Sequence, residues 1–88
     1  MEGPLRVRMV FYLPRPKGHM SARGGVKPSA PGCPAGRPDL DKCARSVADG
    51  LTAGGAWHDD AQMCVLTAEK QYADDYPPGA LITVESLP

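Results

Sequence analysis

Between Leu13 and Asp39 run twenty-five residues, of which eleven are Gly or Pro. Proline lacks a backbone N–H and glycine loses the most conformational entropy on ordering, so no long helix or strand is expected there. In a chain of 88 residues this confines regular structure to a short segment before the stretch and to residues 39–88 after it. A chain of this size forms at most one small domain and buries only about 60% of its unfolded surface. The apolar residues outside the stretch therefore have to share a single thin core.

The first segment, LRVRMVFYL at 5–13, sets Leu5, Val7, Met9, Phe11 and Leu13 against Arg6, Arg8 and Tyr12. Alternation with period two predicts a strand with one buried face. Pro14 and Pro16 end it. From 39 to about 53, Leu40, Cys43, Ala44, Val47, Ala48 and Leu51 recur at helical spacing and form one apolar stripe. Pro38 precedes this helix, Gly54-Gly55 closes it, and Gly50 is a weak spot within it. Trp57 follows and is expected to pack. Residues 62–70 read as a strand, 71–79 as a turn around Pro77-Pro78-Gly79, and 80–87 as a further strand. The last two strands are expected to pair as a hairpin. The fold class is α+β: a small mixed sheet packed against one main amphipathic helix, with a long basic Gly/Pro-rich loop at 14–38. One helix over three strands makes a thin domain with exposed edges. Cover from a second copy or from further elements is expected.

The net charge is zero, but it is unevenly placed. Residues 1–38 carry seven basic residues against Glu2, and residues 39–88 carry three against nine acids. A basic half of this kind is the electrostatic footprint of a polyanion partner. The loop supplies Arg15, Lys17, Arg23, Lys27 and Arg37, with His19 beside them. It reads as a flexible arm following a phosphate backbone, or as a solvated insertion. No apolar run is long enough to span a bilayer and no export signal is present, so no membrane partner is expected. Cys33, Cys43 and Cys64 have no paired spacing and read as free thiols of a cytoplasmic protein. Zinc-finger spacings, a Gly-rich phosphate loop and a serine-nucleophile motif are all absent.

The acids fall in two tight groups, Asp39-Leu40-Asp41 at the helix start and Asp59-Asp60 after its end. Taken singly they have ordinary explanations. Asp39 suits a helix N-cap, Asp41 can pair with Arg45 one turn on, and Asp59-Asp60 suits a polar turn. Taken together they can place several hard oxygen ligands at one end of the helix–strand unit. Mg²⁺ takes one or two carboxylates, waters and substrate phosphate oxygens. That ligand set belongs to enzymes that cut phosphodiesters.

The run RPDLDKCARSVADGLTAGGAWHDDAQMCVLTAEKQY resembles the RusA family of Holliday-junction resolvases. The resemblance rests on Asp39-Leu40-Asp41-Lys42, the helix through Leu51, Trp57, Asp59-Asp60-Ala61-Gln62, and Lys70 closing the next strand. Upstream, PLRVRMVFYLPRPKGH is similar to the strand and basic loop that precede this motif in phage-borne members. The resemblance implies Asp39, Asp41 and Asp60 as the essential carboxylates holding Mg²⁺, with Asp59 as a further candidate ligand. It implies a basic residue at Arg45, where the best-known members have lysine. Arginine keeps the charge and grips phosphate, but it does not give up a proton at neutral pH. DNA contacts are assigned to Arg15, Lys17, Arg23, Lys27, Arg37 and Lys70. The family further implies a homodimer acting on four-way junctions in DNA recombination and repair. Its members also carry a strand and a helix ahead of the segment that starts at Met1 here, so the chain reads as a single RusA-like domain of short form. The alternatives are a DNA-binding remnant without activity and a small structural domain whose acids only cap helices.

Overall fold

A computed structural model describes residues Met1–Pro88. Its order is strand β1 (Leu5–Leu13), helix α1 (Leu40–Ala53), strand β2 (Met63–Tyr72) and strand β3 (Gly79–Ser86). Short 3₁₀ turns lie at Lys17–His19 and Asp60–Gln62. This is the α+β fold expected from the sequence, a three-stranded mixed sheet with one main helix.

The sheet order is β2-β1-β3, and this corrects the expected hairpin. β2 runs parallel to β1 and β3 antiparallel to it, so the last two strands never pair with each other. The physical reason lies in β1. Besides the alternating set, Val10 and Tyr12 on its second face are also buried, at 4% and 9% exposure. A strand apolar on both faces belongs in the middle of a sheet, where both its edges are hydrogen-bonded. The chain returns to β1 through α1, and such a crossover delivers β2 parallel. The connection after β2 then spans two inter-strand spacings, about 10 Å, to reach the far edge of β1.

One face of β1 carries the core. Leu5, Val7 and Met9 are completely buried, and Phe11, Ala44, Ala48 and Trp57 join them. Leu40, Cys43, Val47 and Leu51 pack around this cluster, so the helical stripe faces the sheet as its spacing predicts. The small Ala44 and Ala48 are the buried positions of the helix, and Trp57 beyond its end packs in the same cluster. The other face of the sheet is held by exposed cross-strand pairs, Arg6–Glu85 at 2.9 Å and Arg8–Glu69 at 3.4 Å. Exposed pairs of this kind contribute little to stability. The radius of gyration is 15.9 Å, whereas about 12 Å is usual for a compact domain of this length. The thinness expected from the sequence is therefore real: Leu66 and Leu81 remain 46% and 54% exposed on the two outer strands.

Two glycines in α1 and its closure have opposite roles. After Ala53 the chain closes in a Schellman motif, in which Ala56 N–H donates to Leu51 O at 2.9 Å and Gly55 N–H to Thr52 O at 3.1 Å. Gly55 sits at φ +83°, a conformation that disfavours any Cβ. Gly50 is helical and exposed, and a Cβ built there meets nothing within 4 Å. Gly55→Ala should therefore destabilise the fold by about 1–2 kcal/mol, and Gly50→Ala should stabilise it by about 0.5–1 kcal/mol. Urea titration of the two variants checks this; equal midpoints would contradict the assigned helix end.

Candidate active site

The polar face of α1 sets Asp41, Arg45 and Asp49 one turn apart, on the side that leads toward β2. Together with Asp60 these residues line an open depression of about 380 Å³, floored by Ala44, Ala48, Met63 and Leu66. The structure thus brings together Asp41 and Asp60, one from each acid group, with Arg45. Asp49 joins them, four residues beyond Arg45 and eight beyond Asp41 on the same helix face. The Asp41–Arg45 ion pair does not close; Arg45 is exposed and forms no salt bridge.

Asp39 stands apart. It occupies the N-cap position of α1 without capping through its side chain, and its Oδ2 lies 3.2 Å from Lys42 Nζ. With Lys42, Arg37 and Pro38 it lines a separate depression of about 450 Å³. Asp59 serves the local backbone. Its Oδ1 accepts the Ala61 N–H at 2.8 Å, while Gln62 Oε1 accepts the N–H groups of His58 and Asp59 at 2.7 and 3.1 Å. This is a capping box, and its Asp-x-x-Gln spacing was readable in the sequence. Gln62 Nε2 also donates to Met1 O and Gly3 O, each at 3.0 Å, and so ties the lead into β1 to the acid turn.

Asp60 is held differently. Its Oδ1 accepts the Thr52 hydroxyl, and the Trp57 indole N–H donates to Thr52 Oγ1 at 2.6 Å. The Thr52 hydrogen bond is the first cause that holds the Asp60 carboxyl below its ordinary range. Burial opposes the shift, while Trp57, hydrogen bonding with Asp49 and the charge of Arg45 add to it. Asp60 is therefore an ionised carboxylate throughout the neutral range.

The basic residues fall into three groups. Lys17, Arg23, Lys27 and Arg37 are exposed and form no salt bridge. Lys70 points back under the loop, donating to Gly36 O at 2.7 Å and Pro38 O at 3.0 Å, and so pins the approach to Asp39. Arg15 is committed within the protein. It binds Asp74 through two parallel bonds of 2.8 and 2.9 Å, donates to Pro31 O at 2.7 Å and lies 4.1 Å from the Tyr72 ring centroid. Its side chain is only 9% exposed. Within the loop, Met20 and Val26 form an isolated antiparallel bridge.

The carboxylates supply hard oxygen donors, which is the chemistry that magnesium-like ions accept. No three acidic, His or Cys side chains gather into a ready cluster, so an ion here would be held by one or two carboxylates and otherwise by water. Acids beside a positively charged guanidinium fit the class of phosphodiester-cutting nucleases. Residues 1–85 match the sequence profile of the family described as Endodeoxyribonuclease RusA. The chain belongs to the RusA family of Holliday-junction endodeoxyribonucleases. No curated protein and no solved structure matches it.

The Arg15–Asp74 bond has a pH consequence. Arg15 holds the Asp74 carboxyl below its ordinary value, chiefly by hydrogen bonding. A carboxylate with a lowered folded value adds stability fully above its unfolded value, near about pH 4, and loses it as pH falls through the folded one. Asp74→Asn should therefore lower the melting temperature at neutral pH and reduce its further fall as the pH drops below about 4. An unchanged acid fall would show that the pair does not anchor the loop to the end of β2.

Proposed function

We propose that this chain is a Mg²⁺-dependent endonuclease that cuts four-way DNA junctions, with Asp41, Asp60 and Arg45 at its centre. The observation that carries the reading is the shared depression lined by Asp41, Arg45, Asp49 and Asp60 in a member of the RusA family. Asp41 and Asp60 would hold the ion, with Asp39 joining from the helix cap once its bond to Lys42 is released. A divalent ion bound there supplies Lewis-acid polarisation of the phosphoryl oxygen. Arg45 stays charged at every working pH and offsets negative charge on the phosphate as the bond breaks. Because arginine does not release a proton, Arg45 acts by charge and the leaving oxygen takes its proton from solvent.

Lys17, Arg23, Lys27 and Arg37 are free to follow the DNA backbone, whereas Arg15 and Lys70 shape the loop that carries them. A homodimer would bring two such sites to the two strands of a junction. The elongated shape and the exposed Leu81 support association through the outer strand β3. A second reading is a protein that binds junctions without cutting them. It is favoured by Arg45, which stands where the best-known members of the family have lysine and gives up no proton.

Junction cleavage with and without Mg²⁺ separates the two readings. Asp60→Asn should reduce Mg²⁺-dependent cleavage by about 10²-fold or more, the scale of losing one electrostatic partner of a transition state. Wild-type protein that binds but never cuts would establish the second reading. DNA affinity should have a salt dependence set by the four exposed basic residues of the loop, with log K falling against log salt at a slope of about −3.6. Neutralising Arg23 and Lys27 together should reduce that slope by about half, to about −1.8. A slope near zero in the wild-type protein would remove the loop from the DNA interface.

A further inference from the structure

Trp57, Thr52 and Asp60 form a chain of hydrogen bonds that begins in the core and ends in the site. We infer that Thr52, held by Trp57, is a positioning residue that fixes the orientation of the Asp60 carboxylate for cleavage. The inference rests on the reading of Asp60 as a cleavage carboxylate.

An indole N–H can only donate, and a threonine hydroxyl has one hydrogen to give. Trp57 Nε1 lies 2.6 Å from Thr52 Oγ1 and 3.4 Å from Asp60 Oδ1, so Thr52 is its main acceptor. With that lone pair filled, the hydroxyl hydrogen is directed to Asp60 Oδ1. The chain therefore has one polarity, from indole to hydroxyl to carboxylate. Its origin is rigid, because Trp57 is 2% exposed and packs in the cluster with Leu5, Val7 and Met9. Its end is directed as well. Oδ1 accepts both the Thr52 hydroxyl and the more distant indole N–H, so the carboxylate is held from one side.

Thr52 lies in the last turn of α1 and Asp60 opens the 3₁₀ turn beyond the Schellman closure. A simple tie between these segments would also use a hydrogen bond, so the two roles must be told apart. A tie matters only to stability. A positioning bond matters to the reaction in a protein that still folds, and it makes the indole sense what binds at Asp60.

Thr52→Val keeps the shape and removes the hydroxyl. Single-turnover cleavage of a four-way junction should fall about 10–100-fold, the usual cost of losing an outer partner of a ligand, with DNA affinity unchanged. Thr52→Ser should restore most of the rate. Trp57 is the single tryptophan, so its indole N–H resonance reports on the chain of bonds directly. Adding Mg²⁺ should move that resonance in the wild-type protein and in Thr52→Ser, and leave it in place in Asp60→Asn. A folded Thr52→Val protein that cuts at the wild-type rate beside an inactive Asp60→Asn overturns the positioning role alone. Retained cleavage by Asp60→Asn overturns the assignment of Asp60 to the site, and the positioning role with it. If Thr52→Val does not fold, the indole measurement decides: a resonance that ignores Mg²⁺ in the wild-type protein overturns the inference.

Discussion

The structure depends on the burial of β1 from both sides. It is the only strand hydrogen-bonded along both edges, and its Leu5, Val7 and Met9 are fully covered. Helix α1 is held on one face of this strand by Ala44 and Ala48, and Trp57 fills the space past the helix end. Each acid of the depression takes its place from that arrangement. Asp41 and Asp49 ride on the helix, and Asp60 follows the turn that Trp57 anchors. Outside this unit little is buried, so the site is built on the one part of the domain with a core.

The polar residues around the site divide between building and acting. Asp59, Gln62 and Lys70 spend their hydrogen bonds on the backbone of the acid turn and of the segment that leads into Asp39. Arg15 and Asp74 do the same for the basic loop. Asp41, Arg45 and Asp49 form no salt bridge, and Asp60 is held by Thr52 through Oδ1. Unneutralised carboxylates beside an unpaired guanidinium add little to folding. They suit a site that meets a cation and a phosphate together.

Much of this was legible in the sequence because it is local. The period-two run at 5–13 became β1, the 3.6-residue stripe became the buried face of α1, and Gly54-Gly55 became its closure. The strand order was not legible, since pairing is decided by which strand buries both faces. The only local hint was that Val10 and Tyr12 break the polar side of the β1 alternation. The partner of Arg15 lies 59 residues away, a distance at which charge type gives no pairing rule. Grouping Asp39 with Asp41 followed from their closeness in sequence. A helix start separates them, sending one toward Lys42 and the other toward the depression. Thr52 escaped notice because a threonine in a helix end carries no signal of its own; its role appears only when Trp57 and Asp60 are seen on either side of it.

The central claim is that the depression between α1 and the acid turn is where a divalent ion meets the protein. Titration with Mn²⁺, read by paramagnetic broadening of backbone and indole N–H resonances, tests it residue by residue. The account predicts broadening centred on Asp41, Arg45, Asp49 and Asp60, with the Trp57 indole affected and Asp74 and Asp75 spared. Broadening centred on Asp74 and Asp75, or spread evenly over all exposed acids, would contradict it.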